Sequence, residues 1–449
     1  MSSSTIAASV AEWLKQHAIE EVECIIPNMV GNAIGKFISP EAFLQNNSRM
    51  PESLLAMTVT GDYAEDHFDF MDPKDIDMFL TADCSTLRLV PWAKKPTAQV
   101  VHSCFDKNGV MHPVSSRGVL QRVLKLYADE GWTPVVAPEM EFYVTEQNLD
   151  PKEELRPPVG NSGRRETAPP PFGIDAMNEY SDFVKDLYDC CYQQNIDVEG
   201  LVHECGTAQF EINFNHGDAL YLADQVFAFK RTVRQVALQH KLHATFMAKP
   251  YQHEPGSAMH IHQSVLDQSG KNIFVDEQGN ENARFLNFIG GMQKYTPYCL
   301  SLYAPNINSY RRYSSGHSAP ANMEWGYENR NVGLRVPESP AIAKRVENRY
   351  PGADSNPYLA LAASLACGYL GIKHKCEASE PHKGDAAAEG IKLSRDLLTS
   401  LNLLDALPEL VDVFGETFVM AYKAVKAHEF EVANRVVTAW EREHLLLNV

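Results

Sequence analysis

The chain is short of positive charge, with 40 Lys and Arg residues against 58 Asp and Glu residues and a formal net charge of −18 over 449 residues. Phosphate-driven binding to nucleic acid needs a broad basic surface, so the composition argues against that class of function. Hydrophobic residues make up 44% and charged residues 22%, which is typical of a folded globular protein. A chain of this length indicates two or three domains with a core that needs no disulfide support.

Disulfide frameworks, secretion signals and membrane spans also lack support. The nine cysteines are odd in number and show no CxxC or zinc-finger spacing, which favours a reducing compartment. Met1–His17 lacks a basic and then apolar leader and instead predicts a short amphipathic helix. The longest apolar run, Leu359–Ile372, is shorter than the roughly 18 residues that a membrane span requires. We therefore expect a cytoplasmic protein.

Short apolar runs separated by turn residues predict strands between Val22 and Val101. Pro113 precedes a predicted helix, Ser116–Glu130, after which the pattern becomes mixed α and β. We place a domain boundary at this change, with an N-terminal domain over 1–112 and a larger domain over 113–449.

Two later segments differ from their surroundings. Residues 147–172 contain six prolines and many charges, and predict a long surface loop, which is usually either functional or disordered. A helix is predicted after it, over Glu179–Gln194, and residues 393–447 are predicted to be mostly helical.

Four predicted strands place charged or polar side chains on one face, because side chains alternate along a strand. The residues on these faces are Glu139 and Glu141; Glu211 and Asn213, with Glu204 seven residues earlier; His260, His262 and Ser264; and Arg345, Glu347 and Arg349. Any one strand alone is explained as a solvated edge, but the four together indicate a polar-lined cavity. Five glutamates and a histidine without thiolates suit Mg²⁺ or Mn²⁺, since unpaired carboxylates at this density would repel each other.

Two cations with arginines nearby are suited to phosphoryl transfer, which depends on positioning and charge stabilisation. The sequence contains no GxxxxGK[ST] segment, so a nucleotide would have to be held in another way. At this point the motifs resemble those of the glutamine synthetase family in order and over nearly the whole chain. The motifs are Pro138–Phe142, His203–Glu211, Gly256–His262, Asn308–Arg312, Asn329–Pro337 and Arg345–Pro351.

The resemblance implies an α+β protein, in which an N-terminal β-grasp domain precedes a catalytic domain built on a curved antiparallel sheet. It further implies a homo-oligomer of stacked hexameric rings, a dodecamer, with active sites shared between subunits. ATP would be a co-substrate beside two Mg²⁺ or Mn²⁺ ions per site. The chemistry implied is transfer of phosphate to the γ-carboxylate of glutamate, followed by attack of an amine on the acyl phosphate.

The resemblance also assigns roles to residues at matching positions. Glu141, Glu204 and Glu211 match the ligands of one metal ion, and Glu139, His260 and Glu347 match those of the other. The matches to glutamate-binding groups are Gly256, Arg312 and Arg349, and those to nucleotide or phosphate-binding groups are His262, Ser264, Arg335 and Arg345. Arg330 matches the group that stabilises charge on the transferring phosphoryl group.

The amine site departs from the family pattern. Glutamine synthetases that use ammonia carry a glutamate in a mobile flap, whereas Ser318 occupies that position here. A hydroxyl lacks the charge that ammonium requires and leaves room for a larger amine. Tyr313, Trp325 and Tyr327 are candidates for an aromatic wall against an alkylammonium, since cation–π contacts contribute roughly 0.5–2 kcal/mol.

A second feature favours a polyamine. Residues 62–77, which begin at Asp62, contain seven acidic side chains interleaved with aromatics, although a solvated acidic loop explains them equally well. We call residues 62–77 the acidic segment. The resulting hypothesis is a ligase of glutamate with putrescine or another polyamine. The alternatives are an ammonia-using glutamine synthetase, a ligase for another small amine and, more remotely, an inert scaffold of the family.

Overall fold

The computed structural model describes residues 8–167, 170–313, 319, 321–386 and 392–449. The helices are α1 (Ala8–Gln16), α2 (Pro40–Leu44), α3 (Ser116–Asp129), α4 (Ile174–Asn178), α5 (Ser181–Gln193), α6 (Ala219–Gln239), α7 (Ala283–Tyr303), α8 (Ser309–Arg312), α9 (Pro357–Lys373), α10 (Leu397–Leu404), α11 (Pro408–Phe414), α12 (Glu416–Asn434) and α13 (Ala439–Leu445). The strands are β1 (Glu21–Pro27), β2 (Ala33–Ile38), β3 (Arg49–Pro51), β4 (Asp77–Ala82), β5 (Arg88–Leu89), β6 (Thr97–Phe105), β7 (Trp132–Glu146), β8 (Val198–His203), β9 (Gln209–Phe214), β10 (Gly217–Asp218), β11 (Leu242–Thr245), β12 (Met259–Asp267), β13 (Trp325–Tyr327), β14 (Leu334–Val336) and β15 (Val346–Asn348).

The first sheet has the order β2-β1-β6-β4-β3, with β5 also paired to β6. Its central pair, β1 and β6, is parallel, and the other pairs are antiparallel. Both central strands are almost wholly buried, as is typical of parallel pairs that are covered on both faces.

The second sheet has the order β13-β14-β15-β12-β7-β9-β8, and β10 and β11 also pair with β7. The 15-residue β7 is the common partner, since β12 and β11 share one edge and β9 and β10 share the other. All pairs are antiparallel except β13 with β14. The predicted α+β class is confirmed.

Buried and partly buried ion pairs connect the elements around the first sheet to the helices that pack on the second. Arg117 of α3 donates to Asp224 of α6 at 2.8 Å and to Asp83, beside the first sheet, at 2.5 Å. Arg231 of α6 donates to Glu23 of β1 at 2.9 Å. The main apolar core likewise includes side chains from both parts of the chain.

The longest apolar run belongs to α9, whose residues Pro357–Gly371 are all buried. Helix α7 crosses it at very short range, because a Cβ on Gly291 would lie only 2.3 Å from Gly371 Cα. Glycine is required at this crossing by the close approach of the two backbones. No helix in the described ranges has both the length and the apolarity to span a bilayer.

Several local predictions are confirmed. The helix predicted over Ser116–Glu130 is α3. Ser115 is its N-cap, because the Ser115 hydroxyl accepts the Gly118 N–H at 3.2 Å. The helix predicted over Glu179–Gln194 is α5, and residues 393–447 contain α10 to α13. The region predicted as strands also contains the short helix α2, which the sequence analysis missed.

Candidate active site

Sheet pairing brings the predicted metal ligands together as cross-strand neighbours. Glu139 of β7 lies opposite His260 of β12, and Glu141 of β7 lies opposite Glu211 of β9. Glu347 of β15 lies opposite His262 of β12. Directly opposed residues in an antiparallel pair have neighbouring side chains, so three strand pairs concentrate acids and histidines on one patch. We call this set of side chains the ligand patch.

Glu204 reaches this patch from the bend between β8 and β9. Its N–H donates to the Gln209 carbonyl at 2.8 Å, and the Gly206 N–H donates to Gln209 Oε1 at 2.9 Å. A Cβ on Gly206 would lie 1.9 Å from the Tyr143 hydroxyl, so the bend depends on glycine at that position.

Gln209 is a site residue that the sequence analysis did not assign. Its Nε2 lies 3.2 Å from Glu141 Oε2 and 3.0 Å from the Gly256 carbonyl, and donates towards both. The Ala258 N–H donates to the same Glu141 oxygen at 2.8 Å. Gln209 thus holds Glu141 against the Gly256 loop. The alternation that identified Glu211 places Gln209 on the same face of β9, which was the available signal.

Two overlapping groups of side chains have ligand atoms close enough to hold a metal ion: Glu139 with Glu211 and His260, and Glu139 with His262 and Glu347. Glu139 belongs to both groups. Four of the six predicted ligands belong to these groups, and His262, assigned to the nucleotide, also lies among the metal-competent donors.

His260 provides the clearest sign that this patch accommodates a cation. Its side chain is buried, and within the described part of the chain neither ring nitrogen has a hydrogen-bond partner. The nearest acids are Glu139 at 3.4 Å and Glu141 at 4.0 Å from Nδ1. Buried polar atoms are normally satisfied, so a metal ion among these carboxylates would supply what the protein atoms do not.

The carboxylates on the β9 side of the patch have raised pKa values. Burial, followed by repulsion from Glu204, raises the pKa of Glu141 to about 8. Burial, followed by repulsion from Glu141, raises the pKa of Glu211 to about 10. Burial also raises the pKa of Glu204. These side chains are crowded enough that either protons or cations must offset their charge.

The carboxylates on the β12 side are ionised instead. Burial alone would raise the pKa of Glu139, but the nearby imidazoles of His260 and His262 lower it well below its usual range. Burial also opposes ionisation of Glu347, yet the Arg349 guanidinium and nearby histidines lower its pKa to about 2. Burial and then Arg349 lower the pKa of His260 to about 4, so its imidazole is neutral at pH 7 and able to ligate.

A cavity of about 650 Å³ opens beside this patch. Its lining includes Glu139 and all four residues predicted to contact the nucleotide, His262, Ser264, Arg335 and Arg345.

The two arginines of this cavity are tied to the metal-competent side chains. Arg345 Nε donates to His262 Nδ1 at 3.2 Å, which fixes the ring so that Nε2–H donates to Glu139 Oε1 at 2.9 Å. Arg335 Nη1 donates to Glu347 at 2.7 Å, and its buried Nε has no described partner. Cationic donors thus connect the cavity wall to the ligand patch.

The three predicted glutamate-binding residues also come together. A Cβ on Gly256 would lie 2.7 Å from Arg312 Cγ, so glycine permits the close approach of this loop to Arg312. Arg312 donates to the Tyr350 and Arg349 carbonyls at 2.8 and 2.9 Å, and thereby supports the end of β15. Arg349 donates to Glu347, and its buried Nε has no described partner.

Arg330 is exposed and lines a separate surface cavity of about 770 Å³ with Tyr327 and His382. Burial raises the pKa of Glu204, and the positive charge of Arg330 lowers it. The guanidinium therefore lies within electrostatic reach of that carboxylate.

The predicted amine-specificity residues are less concentrated. Ser318 lies outside the described residues. Trp325 is only 1% exposed, and its indole N–H donates to the Ser379 carbonyl at 2.8 Å, so the ring belongs to the core. Tyr327 packs edge-on against it, whereas Tyr313 is buried and donates to the Tyr350 carbonyl at 2.6 Å. Trp325 and Tyr313 are thus packed into the core, whereas Tyr327 is exposed. The three rings therefore do not line one common surface, as the predicted aromatic wall would require.

The acidic segment is a surface loop with one short 3-10 turn at His67–Asp69. Six of its seven acids are exposed, and Asp72 is partly buried. Asp62 accepts from the Thr60 hydroxyl at 3.2 Å within a tight turn, and Phe68 is 53% exposed. The segment therefore presents carboxylates and an aromatic ring outwards.

Comparisons with known proteins agree with this geometry. The family model of the glutamine synthetase catalytic domain matches residues 113–445. The gamma-glutamylputrescine synthetase PuuA of Escherichia coli (strain K12) is 32% identical, over 99% of this chain and 96% of its own. The glutamate–isopropylamine ligase of a Pseudomonas species is 31% identical, over 96% of both chains. A solved GmaS/ADP complex superposes with a TM-score of 0.83 at 25% identity, over 96% of this chain and 98% of that one. The chain belongs to the glutamine synthetase family.

Proposed function

We propose that the protein is an ATP-dependent ligase that forms a γ-glutamyl amide between glutamate and a polyamine such as putrescine, spermidine or spermine. The observation that carries this proposal is the position of the ligand patch at the edge of a cavity lined by His262, Ser264, Arg335 and Arg345. The ADP-bound relative of the same fold supports a nucleotide in that cavity.

A carboxylate is a poor acylating agent, because oxide is a poor leaving group. Transfer of the ATP γ-phosphate to the glutamate γ-carboxylate yields γ-glutamyl phosphate and ADP. Attack of the unprotonated amine on the acyl carbon then expels phosphate, and the nitrogen loses a proton to solvent as the amide forms. In this scheme Arg345 and Arg335 orient the nucleotide phosphates, while Arg349 and the Gly256 backbone hold glutamate. Arg330 stabilises charge on the transferring phosphoryl group.

The donor set fits two divalent cations, Mg²⁺ or Mn²⁺, since it offers carboxylate oxygens and imidazole nitrogen without thiolates. Glu141, Glu204 and Glu211 would hold one, and Glu139, His260 and Glu347 the other. When bound, the cations neutralise the repulsion between triphosphate and carboxylate. The inert-scaffold alternative is disfavoured because all six positions carry competent ligands in one patch.

Two observations support a polyamine as the nucleophile. Ser318 replaces the flap glutamate that ammonia-using enzymes employ, and the acidic segment offers exposed carboxylates for a distal ammonium group. PuuA is named for putrescine, which agrees with a role in polyamine catabolism. The isopropylamine ligase, of nearly equal identity, favours a second candidate, a ligase for a small monoamine.

We also propose two domains, 1–112 and 113–449, and a cytoplasmic homo-oligomer of stacked hexameric rings. The acidic segment would then contribute to the amine site of a neighbouring subunit. Sedimentation of the purified protein tests the assembly, since a monomer would refute the shared site.

The test of function is phosphate release from ATP with glutamate and Mg²⁺, using ammonium, ethylamine, isopropylamine, putrescine, cadaverine, spermidine and spermine in turn. We expect kcat/KM for a di- or polyamine to exceed that for ammonium by about tenfold or more, which corresponds to ~1.4 kcal/mol of transition-state discrimination. Preference for ammonium would identify a glutamine synthetase, and turnover with monoamines alone would remove the role of the acidic segment. If none of these amines produces phosphate release, the inert-scaffold alternative is favoured.

A further inference from the structure

The proline-rich loop 147–172 contacts the candidate active site through one carboxylate. Glu166 Oε2 accepts the Ala208 N–H at 2.7 Å and lies 3.1 Å from His203 Nε2. The His203 side chain is fully buried and that of Glu166 is 11% exposed. Glu166 is therefore an inward-facing group of a loop whose other acids, Asp150, Glu153 and Glu154, are exposed.

His203 passes this contact on to the backbone of Glu204. Its Nδ1 lies 2.8 Å from the Glu204 carbonyl, which can only accept, so Nδ1 carries the proton that is donated. The loop makes a second contact nearby, because the Phe172 N–H donates to the His203 carbonyl at 2.9 Å. An ionised carboxylate only accepts, so the contact between Nε2 and Glu166 is a hydrogen bond when Nε2 carries a proton as well. Carboxylate, imidazole and peptide group then form a continuous chain that ends at the Glu204 backbone.

The bend that carries Glu204 needs such support. Glu204 lies in the bend between β8 and β9, outside both strands, where its N–H donates to the Gln209 carbonyl. Ala208, in the same bend, has φ +52°, a left-handed conformation that is unfavourable for a residue with a Cβ. The hydrogen bond from the Ala208 N–H to Glu166 stabilises the bend at this strained residue.

Hydrogen bonds also hold the segment of the loop that precedes Glu166. Gly160 N–H donates to the Arg164 carbonyl at 2.9 Å, and Val159 and Arg165 form a β-bridge, so the residues before Glu166 make a small hairpin. Glu179 holds the tip of this hairpin, because its carboxylate accepts from the Ser162 N–H and hydroxyl at 3.0 and 2.8 Å.

We propose that Glu166 is a positioning residue that, through His203, orients Glu204 for the divalent cation. It thereby connects the proline-rich loop to the ligand patch. This inference rests on the proposed function, which assigns Glu204 to a metal ion. Residues that orient metal ligands typically contribute 10–100-fold to affinity, although they never touch the ion.

The test measures Mn²⁺ binding to the metal-free full-length protein. The electron paramagnetic resonance signal of the free ion reports how much Mn²⁺ remains unbound. We expect Glu166→Ala to weaken one of two Mn²⁺ sites by about tenfold or more and to leave the other within about twofold. Glu166→Gln, which retains an acceptor for the Ala208 N–H, should give an intermediate loss. Glu154→Ala, the matched control, removes the same charge from an exposed position of the same loop and should bind like the wild type.

Other outcomes separate the possible failures. Wild-type affinity at both sites in Glu166→Ala, or equal weakening of both sites, would overturn the positioning role. If Glu166→Ala fails to fold, Glu166→Gln decides the matter, because unchanged affinity in that variant would also overturn it. A wild-type protein that binds no Mn²⁺ would instead refute the proposed function together with this inference.

Discussion

Glu211→Gln should flatten the pH dependence of stability of the metal-free protein. In the folded protein the pKa of Glu211 is raised to about 10, chiefly by burial and then by repulsion from Glu141. In the unfolded chain the same group ionises near 4.5. The folded state therefore binds one more proton than the unfolded state between about pH 5 and pH 10, and stability falls as pH rises through that window.

The magnitude follows from the linkage relation. One such group lowers the free energy of unfolding by about 1.4 kcal/mol per pH unit, or roughly 2.7 kcal/mol between pH 7 and pH 9. Gln resembles the protonated carboxyl in shape and cannot ionise, so the variant should escape this loss. Glu139 and Glu347 have lowered pKa values and are already ionised above pH 5. They therefore do not alter the fall in the free energy of unfolding between pH 5 and pH 10.

The assay is urea unfolding in EDTA at pH 6, 7, 8 and 9 for the wild type, Glu211→Gln and Glu199→Gln. Glu199 is an exposed carboxylate on the neighbouring strand β8, so its variant should follow the wild type. Adding Mg²⁺ should reverse the order at pH 9, since the wild type gains more from the cation. Parallel pH curves for Glu211→Gln and the wild type would refute the account of crowded carboxylates.

Three further predictions concern substrates and protons. Arg345→Ala should raise the KM for ATP by about tenfold with a smaller change in kcat, because Arg345 both lines the cavity and fixes His262; an unchanged KM in ATP titrations would exclude that role. Ser318→Glu should raise the ratio of kcat/KM for ammonium to that for putrescine, and an unaltered ratio would count against the flap argument. Mg²⁺ uptake at pH 7.5 should release protons, since burial keeps Glu141 and Glu211 largely protonated there; calorimetric binding enthalpies independent of buffer would contradict this.

The candidate site was predictable from sequence to the extent that it follows from strand periodicity. Alternation along β7 and β9 places Glu139, Glu141 and Glu211 towards one face, and it would have placed Gln209 there as well. The pairing of Glu141 with Glu211 and of Glu139 with His260 required the sheet order, because register between strands far apart in sequence is set by the packing of the whole domain.

The sequence by itself determined the family, the order of the motifs, the faces of the strands and the types of ligand atom, because these depend on residue identity and local spacing. Only the tertiary structure decided that Trp325 is a core residue and that His262 lies among the metal-competent donors. It alone also brought Glu166 to His203, which is 37 residues away along the chain. Such contacts form between distant segments, and their partners are selected by burial and hydrogen-bond satisfaction in the folded protein rather than by any local pattern.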